Sequence, residues 1–449
     1  MIILKADIKM KKILFIIIIL LLLSINCYAK DQNIYVANTA YKNATDNIVK
    51  TSADFLEKIY SKLSKIVKLG WEEDEDVLKA MNDNEKAMNL FKETTKQKSN
   101  GSMFIEETEE IDSEMPIPSY DKEILLFELI LAEGMMFEEK GEYNRAEDNY
   151  LAAARFIMHI SQEKIRVLVS ELIGFILFDK AYPSFARSLT SNNFSKEYYE
   201  KLYQYLHIIT NNQGFLESSF EIELLFMKHA SAQLKEAVIN NVEEVFKAEG
   251  RQLTQEEVGE FFKIFFERQS EIYDDHFATL IICAKQNNTD LAKKKINDIR
   301  QLHHPLQMMA RFIKKLLIDR RTIFQIKAEL MAEEFIYWSI ADFTTAISRF
   351  HIFYNKSNLL TAALAIKLYE TNNGILPDKL EQLIPGYLEK VSQDTYNKFR
   401  EISYIKGKKG FKVYSFGPDR KDDKADKILD EDKFYKDNSY NGGIVFSMQ

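Results

Sequence analysis

The sequence predicts an α+β fold that is predominantly α-helical, with a helical body and a small turn-rich module at its C-terminus. Glycine and proline are scarce, at 15 and 7 of 449 residues, which favours long helices over turn-rich β folds. Seven of those glycines and three of those prolines fall in the last 76 residues, so the C-terminus follows a different pattern. Hydrophobic residues make up 46% and charged residues 29%, as in a folded globular chain.

Residues 1–29 have the three-part layout of a secretory signal peptide. Two lysines precede the unbroken apolar run Ile13–Leu23, and a small-residue site follows that ends at Ala29. The apolar run is well short of the ~20 residues that a helix needs to span a bilayer. We therefore expect cleavage after Ala29 and an exported protein of the periplasm or cell envelope.

Cys27 offers an alternative to simple cleavage, namely a surface lipoprotein anchored through this cysteine. Asn26 is a poor match to the small residue that precedes the cysteine of a lipoprotein signal, so ordinary cleavage is favoured. Contact with a membrane is expected only through the signal peptide or such an anchor. The mature chain then retains only Cys283, which we expect to be a buried, inert thiol. Met1 and Met10 are both possible starts.

Two segments precede the main helical region. Residues 30–92 are predicted to form an N-terminal helical segment, because Phe55, Ile59 and Leu63 recur at a spacing of four residues. Residues 93–120 are polar and acidic and end with two prolines, which is typical of a linker or a long surface loop.

Residues 121–350 are predicted to form a helical domain. Its two prolines, Pro183 and Pro305, are each expected to mark a turn between helices. Thr254 is followed three residues later by Glu257, the pattern of a capping box that opens a helix.

The stretch from about 130 to 158 resembles a single tetratricopeptide-repeat hairpin. Small residues in this pattern let two antiparallel helices approach closely, while aromatic residues fill the gap between them. No second copy follows at the same period, so the resemblance implies one helical hairpin inside a larger domain. The matching residues are Gly134, Phe137, Tyr143, Ala146, Tyr150 and Ala153.

The C-terminal module, residues 351–449, is predicted to mix helix and strand. A first helix should stop at Gly374, and a short second helix should follow Pro377. Beyond it, the alternation of apolar residues and turns predicts three short strands. Their predicted positions are Ile402–Ile405, Phe411–Phe416 and Ile444–Phe446.

This module resembles the globular domain of the major pseudopilins of type II secretion. The matching stretches are AALAIKLYETNNGILPDKLEQLIPGYL from Ala362, VYSFGPDRKDD from Val413, and GGIVF near the end, within about 90 residues. The apolar N-terminal assembly helix of pilins has no counterpart, so incorporation into a pseudopilus is not expected. Two further departures are Thr395 in place of the usual proline and Gly443 in place of an acidic residue.

The resemblance also implies a calcium site, because the loop after the YS-x-G-x-D motif binds calcium in major pseudopilins. The alternative is a solvated charged loop. Calcium prefers six to eight oxygen ligands, and the loop supplies carboxylates and a hydroxyl. Calcium is the only cofactor that the sequence suggests. The candidate ligands are Ser415, Asp419, Asp422, Asp423 and Asp426.

No pattern of catalytic residues is evident. The seven histidines lack the spacing of zinc ligands, and no phosphate-binding or nucleophile motif occurs. The net charge of −8 gives no support to a nucleic-acid partner held by phosphate contacts, and none is expected. We therefore expect a non-catalytic envelope protein that acts as a scaffold or binds a protein partner. The alternative is a hydrolytic enzyme with its site in a groove of the helical domain.

Overall fold

The computed structural model describes residues 39–49, 53–97, 120–162, 168–211, 215–233, 246–247, 250–302, 311, 314, 322–339, 343–408, 410–431 and 442–448. The predicted signal peptide with Cys27, most of the predicted linker, and Pro305 lie outside the described residues. The helices predominate over a small antiparallel β component, so the predicted fold class is confirmed.

The chain divides into two compact units, which we call the larger and the smaller unit. The larger unit comprises residues 36–108, 117–219 and 345–449, and the main part of the smaller unit is 220–344. These divisions fall at other positions than the predicted segment boundaries, because the C-terminal module shares the larger unit with the N-terminal helices.

The described part of the chain contains thirteen α-helices. The first eight, all in the larger unit, are α1 Thr39–Asp46, α2 Ala53–Leu69, α3 Glu75–Asp83, α4 Glu85–Thr95, α5 Asp121–Glu139, α6 Tyr143–Ser161, α7 Leu168–Thr190 and α8 Lys196–Asn211. The others are α9 Phe215–Gln233, α10 Gln255–Gln286, α11 Thr289–Leu302, α12 Ile323–Ser339 and α13 Thr344–Asn373. Among the described residues, no helix is both long and apolar enough to cross a membrane.

Helices α5 and α6 pack closely against each other across a short turn. A Cβ atom at Gly134 would lie 2.7 Å from the ring of Tyr150, so only glycine allows this approach. The Tyr150 hydroxyl donates to Glu138 at 2.6 Å and ties the two helices together. The stretch with the repeat-like sequence is thus a helical hairpin, while its membership of the tetratricopeptide class stays a prediction.

The expected turn at Pro183 is wrong, because this proline lies inside α7. A proline removes one backbone hydrogen bond and crowds the preceding turn of a helix. Burial of apolar side chains on both sides of the proline outweighs this cost, and the helix continues to Thr190. The buried aromatic side chains of α7 are Phe175, Phe178 and Phe185.

Two predictions for α10, in the smaller unit, are confirmed. The Thr254 hydroxyl accepts from the Glu257 N–H at 3.2 Å, and Glu257 accepts from the Thr254 N–H at 2.9 Å, which completes the capping box. Cys283 is buried, and burial raises the pKa of its thiol to about 11, so the thiol is protonated and unreactive near pH 7.

The C-terminal module has the predicted order of elements. Helix α13 ends at Asn373 and a 3₁₀-helix, Leu380–Leu383, follows. The strands are β1 Gln393–Asp394, β2 Arg400–Glu401, β3 Ser403–Lys406, β4 Phe411–Ser415 and β5 Ile444–Met448. The strands β3, β4 and β5 form an antiparallel sheet in that order, in which Val413 faces Tyr404 on one side and Phe446 on the other. A separate two-stranded ladder joins β1 to β2.

Candidate functional site

Four of the five candidate calcium ligands, the aspartates, belong to the acidic loop, by which we mean residues 417–431 after β4. The fifth, Ser415, is the last residue of β4. Three aspartates of the acidic loop each accept a backbone N–H from two residues further along, as in Asx turns. The accepted groups are Lys421 N at 3.2 Å for Asp419, Lys424 N at 3.0 Å for Asp422 and Ala425 N at 3.1 Å for Asp423. These carboxylates therefore shape the loop themselves.

Gly443 shows why the usual acidic residue is missing before the last strand. A Cβ atom here would lie 2.5 Å from the backbone oxygen of Ser415, so a side chain would force the backbone apart. The same Cβ position is 3.7 Å from Oδ1 of Asp423. Two backbone segments therefore pass too close together at position 443 for an acidic side chain. The Asp423 carboxylate lies beside the position that the Cβ atom of such a side chain would take.

The carboxylate oxygens of the acidic loop that could bind a cation differ in their burial. Oδ2 of Asp423 is buried and accepts no hydrogen bond, so this oxygen fits a cation. The Asp426 side chain, in contrast, is exposed. Within the described ranges, no three or more Asp, Glu, His or Cys side chains converge as a metal-binding group.

Ser415 belongs to a buried cluster centred on Asp394. The sequence predicts Ser415 as a site residue but not Asp394. The Asp394 carboxylate accepts from Ser415 Oγ at 2.7 Å, from Phe416 N at 2.8 Å and from Tyr396 N at 2.8 Å. Burial raises the pKa of Asp394, and these hydrogen bonds only partly offset the increase. The carboxylate thus joins β1 to the end of β4, directly before the acidic loop.

Thr395 connects the same segment to α13. Its N–H donates to Asn355 Oδ1 at 3.2 Å, and the Asn355 amide donates to its hydroxyl at 2.6 Å. A proline has neither an N–H nor a hydroxyl, so this reciprocal pair depends on the departure from the pseudopilin pattern.

Lys356 on α13 forms a buried ion cluster that the sequence did not reveal. Its Nζ lies 2.9 Å from Asp179 on α7 and 2.7 Å from Glu431 at the end of the acidic loop. Burial opposes the charge of Lys356, but the two carboxylates outweigh it and raise the pKa of the amine. The cluster therefore fastens the acidic loop to two helices of the larger unit.

A small cleft lies between α8, α13 and the segment before β1. It encloses about 30 Å³, the room of one water molecule. His207 in its wall stacks on Tyr203, lies 2.9 Å from Asn211 Nδ2 and is 3.8 Å from Glu389. The cleft is polar, and its further lining residues include Tyr354, Asn358, Thr361 and Gln393.

Comparisons with known proteins add no relative to this picture. No protein-family model, no curated protein and no solved structure matched the chain.

Proposed function

We propose that this is an exported protein of the cell envelope that acts, without catalysis, as a scaffold or partner-binding protein. The helical body serves as the support, and the pseudopilin-like module serves as the recognition unit for another envelope protein. The signal-like sequence of residues 1–29 supports the location. The buried cluster around Lys356 supports a rigid module, since it fastens the acidic loop to the helices.

The observation that carries the proposal is the distribution of exposed apolar side chains. Ten large hydrophobic residues are exposed in the described part of the chain, and five of them lie in the C-terminal module. Single exposed apolar residues are normal, but their concentration in one small module favours a binding surface. The five are Ile375, Ile384, Phe399, Ile405 and Ile428.

The binding proposal is tested by affinity capture from envelope extracts of the source cells. We expect the tagged mature protein to retain a defined partner, and the double variant Ile375→Ser/Ile428→Ser to lose it. Leu69→Ser is the matched control, because Leu69 is equally exposed but lies on α2, outside the module. Capture of the same partner by wild type and double variant would contradict the proposed surface.

The location is tested separately by mass spectrometry of the mature N-terminus. A chain that begins at Lys30 supports simple secretion, whereas a lipid-modified Cys27 supports the anchored form. An unprocessed N-terminus on the protein from the cell would contradict export.

We also propose that the acidic loop binds one calcium ion with a structural role. The buried Oδ2 of Asp423 supports this, and Asp419, Asp422 and Asp426 offer further carboxylates. Backbone carbonyls would have to replace the missing acidic residue at position 443. Ser415 Oγ is already engaged with Asp394.

The calcium proposal is tested by thermal unfolding with calcium chloride or magnesium chloride as the probe. A concentration of about 1 mM matches the dissociation constants of weak calcium sites. We expect calcium to raise the melting temperature by about 2–4 °C in wild type and not in Asp423→Asn. Asp378→Asn is the control, because Asp378 is an exposed aspartate of the same module that forms a surface ion pair with Lys406. Equal shifts with both metals in all three proteins would refute a specific site.

A further inference from the structure

We propose that Arg155 forms the centre of a binding site for a small oxyanion, either a phosphate or a carboxylate group. Arg155 lies on α6, and Thr95 at the end of α4 and Tyr205 on α8 surround it. Only 8% of the residue is exposed. Arginine is rarely buried to this extent unless an acidic group accompanies it.

The hydrogen bonds of the guanidinium group are incomplete. Nε donates to Thr95 Oγ1 at 3.1 Å, and the Thr95 hydroxyl in turn donates to the Lys92 carbonyl at 2.7 Å. Nη2 is buried and has no acceptor. The Tyr205 ring centroid lies 5.9 Å from Cζ. Within the described residues, Arg155 forms no ion pair with a carboxylate, so Nη2 is a buried donor without an acceptor.

An arginine cannot relieve such burial by releasing its proton. A buried charge without a partner is strongly destabilising. The other two buried lysine or arginine side chains among the described residues have acids nearby: Lys356 contacts two carboxylates, and Lys367 lies 3.6 Å from Glu370. Arg155 thus differs from both.

The surroundings of Arg155 also favour an anion. Burial, and secondarily the charge of Arg155, lower the pKa of His159 to about 4, so this histidine is neutral near pH 7. Tyr41 lies 2.8 Å from His159 Nδ1, and burial raises the pKa of its hydroxyl, so it is neutral as well. Glu93 is exposed and forms an ion pair with Lys96 at 2.7 Å. No negative charge therefore balances the guanidinium from within the buried shell.

The chemistry selects an oxyanion over other ligands. A guanidinium fork presents parallel N–H groups that match two oxygens of a phosphate or carboxylate. Because little of Arg155 is exposed, a small terminal group can reach it, whereas a folded surface cannot. Phosphate and carboxylate share this recognition, and separate probes distinguish them.

The test measures thermal unfolding of the mature chain in chloride buffer at constant ionic strength, with sodium phosphate or sodium acetate as the probe. We expect a saturable rise in melting temperature of about 2–4 °C with at least one anion. A response to phosphate alone identifies a phosphoryl group, and a response to acetate alone identifies a carboxylate. Arg155→Met should abolish the response, and Arg145→Met, an exposed arginine of the same helix, should keep it.

A second measurement guards against misfolding of the variant. Broadening of the ³¹P signal of phosphate, or of the ¹³C signal of labelled acetate, reports binding to wild type directly, and Arg155→Lys keeps the charge but lacks the fork. We expect at least tenfold weaker binding to Arg155→Lys. Absence of any response in wild type to both anions, or an unchanged response in folded Arg155→Met, would overturn the site.

Discussion

Buried charges are treated differently in two regions of the larger unit. In the C-terminal module, Lys356 and Asp394 each contact groups from distant parts of the chain. Among the N-terminal helices, Arg155 on α6 and Glu123 on α5 are also buried but have incomplete contacts, whereas Glu128 on α5 forms an ion pair with Lys180. The first region uses its charges to fasten segments together, and the second holds two charges that the described residues do not balance.

Glu123 and Asp394 make the difference concrete, since both are carboxylates about 1% exposed. Asp394 accepts three hydrogen bonds, whereas neither oxygen of Glu123 has a hydrogen-bond partner. Burial raises the pKa of Glu123 to about 7. A carboxyl group can become neutral by taking up a proton, but the Arg155 guanidinium cannot lose one, so only Arg155 requires a ligand.

The largest expected effect is that of Asp394→Ala. The substitution leaves the buried N–H groups of Phe416 and Tyr396 without an acceptor, and we expect a loss of about 4 kcal/mol in the free energy of unfolding. Urea unfolding monitored by circular dichroism measures it. Asp394→Asn is the matched variant, because it keeps an acceptor and should lose less than half as much. Equal losses in the two variants would show that the hydrogen bonds are not the cause.

Lys356→Met should have the next largest effect, a loss of about 3 kcal/mol. Removal of the amine leaves Asp179 and Glu431 with like charges close together, and both side chains are partly exposed, which limits the cost. Equilibrium unfolding in urea again measures the change. The control Lys390→Met, at an exposed position of the same unit, should stay within about 0.5 kcal/mol of wild type. If both variants have the same stability, the ion cluster does not fasten the loop.

Signals close together in the sequence were sufficient for much of the fold. The end of α13 before Gly374, the capping box at Thr254 and the order of strands in the module all follow from patterns within a few residues. Pro183 shows the limit of such patterns, because the packing of α7 against its neighbours keeps it helical.

The polar site could not be predicted in this way. The partners of Lys356 lie 177 and 75 residues away along the chain. Nothing in its own helical segment indicates that this lysine is buried. Ser415 has the chemistry of a metal ligand, and only its position opposite Asp394, 21 residues away, gives its hydroxyl another role. The burial of Arg155 likewise depends on helices that the sequence pattern cannot orient.

Glu123→Gln should have the smallest effect and the opposite sign. The pKa of Glu123 is about 7 in the folded protein, against ~4.3 for an unfolded glutamate. Because the folded state binds the proton more tightly, the stability from this group is complete below about pH 4, falls as the pH rises, and is lost above pH 7. We expect Glu123→Gln to be about 2 kcal/mol more stable than wild type at pH 8, less than the full shift implies because the new amide also lacks partners.

Unfolding free energies measured from pH 4 to pH 9 check this expectation. The wild-type curve should decline between pH 4 and pH 7, and the curve of Glu123→Gln should decline less. Glu139→Gln, an exposed position on the same helix, should follow wild type. The two incompletely paired charges also separate here, because Arg155 itself does not titrate in this range. The stability change caused by Arg155→Met should vary with pH only through His159, whose pKa burial and, secondarily, the charge of Arg155 lower. Parallel curves for wild type and Glu123→Gln would mean that Glu123 finds a partner in solution, and the contrast between the two regions would then rest on Arg155 alone.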